Sequence, residues 1–145
     1  MKSTSKISNT IILIVRLLFI LLFSYAAVSK LLDYETFERQ LGQSPLLSDY
    51  AGLVSVGIIV IELIVSGLLM FHKTGVIGLY LSFFIMVMFT TYIIVILNFS
   101  PSIPCSCGGV LDALGWSEHL IFNVFFIGVA LIGILIERKQ KHDFN

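Results

Sequence analysis

The stretch AGLVSVGIIVIELIVSGLLMF, Ala51–Phe71, is followed by HKT at 72–74 and then by GVIGLYLSFFIMVMFTTYIIVIL, Gly75–Leu97. Two apolar runs that carry one carboxylate between them, Glu62, are separated by a three-residue turn. A helix rises about 1.5 Å per residue, so either run crosses a hydrocarbon layer of about 30 Å. The turn between them predicts antiparallel neighbours. Outward from this hairpin lie two more apolar runs, Thr10–Val28 and Leu120–Ile136. The second is short for a span and borrows Ser117–His119, giving 117–136. The reading is all-α: a four-transmembrane-helix bundle, one domain over residues 1–145.

Composition agrees. The chain is 57% hydrophobic and 12% charged, and its mean hydropathy is +1.00. A soluble domain of this size has no interior for that much apolar surface, and the charges avoid four long stretches. The formal net charge is zero, so only the placement of charge is informative. Lys2, Lys6, Lys73, Arg138, Lys139 and Lys141 fall on one side of an even-numbered bundle; Lys30 and Arg39 fall on the other, among six acidic residues. The positive-inside rule therefore predicts both termini in the cytoplasm. Ser24-Tyr25-Ala26 resembles a signal-peptide cleavage site, but the apolar run before it is longer than an h-region of about 7–15 residues.

The first connection, Ser29–Tyr50, is long. Within it Tyr34–Leu41 reads as a short amphipathic helix at the interface, Phe37 and Leu41 toward lipid, broken by Gln43-Ser44-Pro45. Gly78 and Ser82 give the third span a small face for close packing. Met86 and Met88 read as gap-filling side chains rather than soft-metal ligands. Nothing resembles a nucleotide loop, a Ser-His-Asp set or a nucleic-acid patch, and no metal ligand is assigned.

The chemistry concentrates in Pro104-Cys105-Ser106-Cys107-Gly108-Gly109, which holds both cysteines of the chain. They fall in the third connection, on the side where disulfides persist. A Cys-x-Cys disulfide closes a very small ring with poor geometry, and such bonds are the labile, exchange-prone kind. A structural staple closes a long loop to restrict the unfolded chain, and this one closes almost nothing. Cys105 and Cys107 are therefore the candidate redox pair. His119, in the first turn of the fourth helix behind a Ser117 N-cap, is the candidate base for a thiol. With Asn123 on the same helix face it could instead hydrogen-bond a quinone carbonyl. The bland alternative is that His119 and Trp116 anchor the interface and Asn123 bonds a neighbouring helix.

Glu62 sits at the centre of its span, where a charge must face the bundle. Arg16 lies about 9 Å, and Glu62 about 13 Å, from the same surface. Their similar depth predicts a structural Arg16–Glu62 ion pair, with Ser55 and Ser66 on the Glu62 face.

These residues resemble the MauE/DoxX group of membrane proteins. The resemblance rests on Ser24-Tyr25-Ala26-Ala27-Val28-Ser29-Lys30-Leu31-Leu32, Arg16, Glu62, Phe89-Thr90, the Cys-x-Cys-Gly element and His119-x-x-x-Asn123. It covers nearly the whole chain, and Cys-x-Cys-Gly is its specific part. Gly109 stands where MauE proper is expected to carry an aromatic residue. The resemblance implies a multi-pass protein of the bacterial inner membrane, beside a periplasmic thioredoxin-like protein or a disulfide-containing substrate. Together with the residues above, the reading is a thiol–disulfide redox component: Cys105 and Cys107 exchange with that partner, and electrons pass to or from a membrane carrier such as quinone near His119 and Asn123. Two other readings use the same residues: Cu or Zn binding by Cys105, Cys107 and His119, and a DoxX-like assembly role without cysteine chemistry.

Overall fold

The computed structural model describes residues 2–44, 46–99 and 115–143. Five α-helices account for most of them: α1 (Lys2–Leu32), α2 (Tyr34–Gly42), α3 (Ala51–Met70), α4 (Gly75–Phe99) and α5 (Trp116–Asp143). One 3-10 turn at Ser48–Tyr50 leads into α3. Four of the helices, α1, α3, α4 and α5, are long and apolar enough to cross a membrane.

The four spans close a ring. α1 packs on α3, α3 on α4, α4 on α5, and α5 returns to α1. The hairpin of α3 and α4 follows from the four residues between Met70 and Gly75. Its contact is close because both Gly78 and Ser82 are buried, and a Cβ on Gly78 would collide with the Leu69 side chain. Between α1 and α5 an aromatic core forms. Phe19 meets Phe126 edge-on at 5.4 Å and stacks near Phe23 at 5.8 Å. Val15, Val65, Leu69, Leu79 and Ala130 fill the space around them. Large apolar side chains such as Leu21, Leu53, Ile121 and Phe125 stay exposed on the outside of the ring. For a bundle with hydrocarbon as its solvent this is the expected arrangement, since Leu against lipid costs nothing.

The ends of the helices differ from the apolar runs. α1 begins before Thr10 and continues past Val28 to Leu32, so Lys30 is helical. α5 continues past Ile136 to Asp143, so Glu137 is helical too. α5 also starts one residue ahead of the expected cap. Its first turn closes with the His119 N–H donating to the Gly115 carbonyl at 2.9 Å. The Glu118 carboxylate reaches back to accept from the Gly115 N–H at 3.0 Å, half of a capping box. Gly115, not Ser117, therefore stands at the N-cap.

The short helix α2 forms where its amphipathic pattern placed it, but its apolar face is turned the other way. Phe37 and Leu41 are buried against Ala27 and Ile59 rather than lipid-facing. The Tyr34 hydroxyl sits 2.8 Å from that of Ser55 on α3 and fixes the approach. With α3 within reach, burying two large side chains against it orders the helix more firmly than loose contact with acyl chains.

Candidate functional site

Two ion pairs are buried among the described residues, and neither joins Arg16 to Glu62. Arg16 Nη2 donates to Glu137 Oε1 at 2.5 Å, bridging α1 and α5. Lys30 Nζ donates to Glu62 Oε1 at 2.6 Å, bridging α1 and α3. The expected Arg16–Glu62 pairing is thus corrected by geometry. Depth along the membrane normal was similar, but each acid found a base on α1 nearer its own level. Arg16 and Lys30 are fourteen residues apart, two heptads, so they lie within about 40° of each other on the same helix face. That face carries both pairs, one toward each end of the bundle. Ser24 lies between them on α1, its hydroxyl 2.7 Å from that of Ser66 on α3.

The Lys30–Glu62 pair forms part of the wall of a cavity of about 700 Å³. All four spans and α2 contribute to the lining, most of which is apolar: Leu22, Ile58, Phe84, Met86 and Phe122 among others. The Lys30 ammonium also lies 5.6 Å from the centre of the Phe37 ring and 6.0 Å from that of Phe89, and both rings line the cavity. A carboxylate and two ring faces together replace the water that the ammonium would otherwise hold.

His119 and Asn123 line the same cavity from α5. They stand one turn apart on α5, so their side chains share a face. Asn123 is only 3% exposed, and its Nδ2 has no hydrogen-bond partner. Glu62 is 2% exposed, and its Oε2 likewise has none. An unmatched buried donor or acceptor costs about 1–3 kcal/mol, so two of them around one cavity are not a neutral feature of packing.

The sequence assigned His119 and Asn123 to one site and read Glu62 as structural. The structure brings the three to one cavity and adds Lys30, which lies in the last turn of α1 rather than in the connection that follows it. The signal for Lys30 was its two-heptad spacing from Arg16. Cys105 and Cys107, with Pro104 and the two glycines, lie outside the described residues. So does any metal set that includes them; among the described residues no three His, Cys, Asp or Glu side chains gather to hold an ion. The connection that contains the cysteines joins the end of α4 to the start of α5. The described residues that flank it, Phe99 and Gly115, lie at the end of the ring where α1 finishes and α2 lies, the end that holds the cavity.

A second cavity, of about 450 Å³, lies at the other end, between α1, the α3–α4 turn and α5. Arg16, Glu137, His72 and Gln140 line it. Gly75, at the start of α4, comes so close to Arg16 that a Cβ there would overlap the guanidinium.

Comparison with known proteins gives one result that covers the chain. The family model described as methylamine utilisation protein MauE matches residues 8–136. No curated protein matches, and no solved structure matches. The matched segment takes in the second and third spans whole and most of the first and fourth, both ion pairs except for Glu137, and the whole lining of the larger cavity. By that match, the chain belongs to the MauE family of multi-pass membrane proteins.

Proposed function

We propose that this protein is a membrane thiol–disulfide redox component. Cys105 and Cys107 exchange with an extracytoplasmic thioredoxin-like protein or a disulfide-containing substrate, and both termini are cytoplasmic. In the exchange, a thiolate of one partner attacks a sulfur of the other's disulfide and a mixed disulfide forms. The resolving thiol then attacks that bond, so one partner ends as the disulfide and the other as the dithiol, with electrons and protons conserved. Electrons pass onward to or from a carrier in the bilayer.

The observation that carries this reading is the position of the larger cavity. It gathers Lys30, Glu62, His119 and Asn123 in an otherwise apolar cavity, toward the end of the bundle where α4 finishes and α5 begins. His119 sits in the first turn after that connection, twelve residues beyond Cys107, and is the candidate proton acceptor for a thiol. Family membership supports a membrane accessory role.

Thiol trapping in intact cells is the test. The pair should cycle between an oxidised form and one that alkylates at both cysteines. Cys107→Ser should accumulate a mixed disulfide with the physiological partner, because the resolving thiol is gone. His119→Ala should slow exchange by about 10²-fold without abolishing it, the lower range for a positioned proton acceptor. Cysteines that stay alkylatable under oxidising buffer would replace this reading with a metal-binding or assembly role.

Orientation has its own check. Reporter fusions after residue 73 and at the C-terminus should read cytoplasmic, and fusions within 98–117 extracytoplasmic. An outward-reading C-terminus would place the cysteines in a reducing compartment and remove the basis for exchange.

A further inference from the structure

We propose that the larger cavity binds the head of a quinone or quinol, with Asn123 donating to its carbonyl form and Glu62 accepting from its hydroxyl form. This rests on the redox reading above and names its membrane carrier by chemical class.

The argument begins with charge. Lys30 and Glu62 neutralise each other at 2.6 Å, and the rest of the lining is uncharged or apolar except His119. A ligand that enters such a site must itself be neutral, since a net charge would be desolvated without a counterion. The next constraint is what the wall leaves unmatched. Two residues of the lining each carry a buried polar atom without a partner, the N–H donor Asn123 Nδ2 and the carboxylate acceptor Glu62 Oε2. A head group that can accept at one stage and donate at another satisfies both. Carbonyl and hydroxyl interconverted by two electrons and two protons have that property.

Depth separates this from a phospholipid. Glu62 is twelve residues into α3 and Asn123 eight residues into α5. At about 1.5 Å per residue these lie roughly 10–18 Å below the helix ends, in hydrocarbon rather than at headgroup level. A polar head that lives at this depth belongs to a molecule with an apolar body. The volume of about 700 Å³ falls in the range of small-molecule sites, about 300–1,000 Å³. Phe37, Phe84, Phe89 and Phe122 supply aromatic surface for a flat ring. When the Cys105–Cys107 dithiol closes its S–S bond, it releases two electrons and two protons. A quinone takes up both and becomes a quinol.

The test uses full-length protein in phosphatidylcholine nanodiscs with a photoreactive azidoquinone, competed by decylubiquinone or its quinol. Labelling should fall on α1, α3, α4 and α5 peptides that line the cavity and should be displaced by decylubiquinone. Asn123→Leu should weaken competition by the quinone about tenfold, the loss of one well-placed hydrogen bond. Lys30→Met/Glu62→Leu, which removes the acceptor with its counterion, should weaken competition by the quinol to a similar degree. Ile58→Trp, which narrows the cavity and leaves Asn123 and Glu62 in place, should weaken the label in a protein that remains folded. Ile121→Leu on the exposed face of α5 should label as wild type. Cys105→Ser/Cys107→Ser should also label as wild type, so failure of quinone binding and failure of thiol exchange are told apart. Labelling spread over the lipid-facing surface, displacement by phosphatidylcholine alone, or Asn123→Leu and Ile58→Trp both at wild-type level would overturn the proposal.

Discussion

Lys30→Met will destabilise the bundle by about 3–5 kcal/mol, the cost of leaving a buried charge without its partner. The side chains of Lys30 and Glu62 are 10% and 3% exposed, so bulk water solvates the carboxylate poorly once the ammonium is lost. Coulomb attraction at this separation grows steeply as the dielectric falls, and so does the penalty for a lone carboxylate. The companion Phe37 and Phe89 contacts are lost in the same substitution, which adds to the cost. Replacing both members, Lys30→Met/Glu62→Leu, should return stability to within about 1–2 kcal/mol of wild type, because an apolar pair of similar volume often matches a buried ion pair. Reversible unfolding in mixed detergent micelles measures both. A Lys30→Met protein within about 1 kcal/mol of wild type would mean that the ammonium reaches water and that the pair contributes as little as a surface bridge. The non-additivity is the informative quantity. Two residues in contact couple, and two that merely share a depth do not.

That distinction also explains what could be read from the chain. The spans Ala51–Phe71 and Gly75–Leu97 were legible almost to the residue, because an apolar run of this length has one stable solution in a membrane. The α3–α4 hairpin followed from its short turn, and the burial of Gly78 and Ser82 from their spacing. The helix ends were less legible. Hydropathy falls at Val28 and Ile136, but hydrogen bonding does not, so α1 and α5 run on through polar residues. Lys30 and Glu137 sit in those extensions, and they are the partners that the sequence missed. A rise per residue gives depth; which partner an acid meets depends on the rotation of each helix, and rotation is set by packing. Phe37 and Leu41 teach the same lesson. An amphipathic pattern states that one face is apolar, and only the position of α3 decides whether that face meets lipid or protein. At the site, His119 and Asn123 were legible through their one-turn spacing, and Glu62 through its isolation in an apolar run. Their convergence with Lys30 on one cavity required the ring of four helices to close.

The other buried pair gives the second large effect. Gly75→Val will destabilise the protein by about 1–3 kcal/mol from overpacking alone, rising toward about 3–5 kcal/mol where Arg16 is driven off Glu137. The reason lies in a close approach rather than in backbone freedom. A Cβ on Gly75 would occupy the space of the Arg16 guanidinium, and the guanidinium is held by Glu137 on one side and buried on the others, 8% exposed. To make room, the guanidinium must shift into the adjoining cavity and away from its place on the carboxylate, or the start of α4 must move outward from α1. Helix propensity works the other way, because Gly is about 1 kcal/mol worse than Ala inside a helix. At the first residue of α4 most of that gain is absent, so the steric cost wins. The decisive comparison is made in an Arg16→Leu/Glu137→Leu background, where the planar group that a valine would strike is gone. There Gly75→Val should cost less than about 1 kcal/mol. An equal cost in both backgrounds would show that the valine strains the α3–α4 turn instead. The three residues come from α1, α4 and α5, so a coupling among them also measures how firmly the ring is closed at this end.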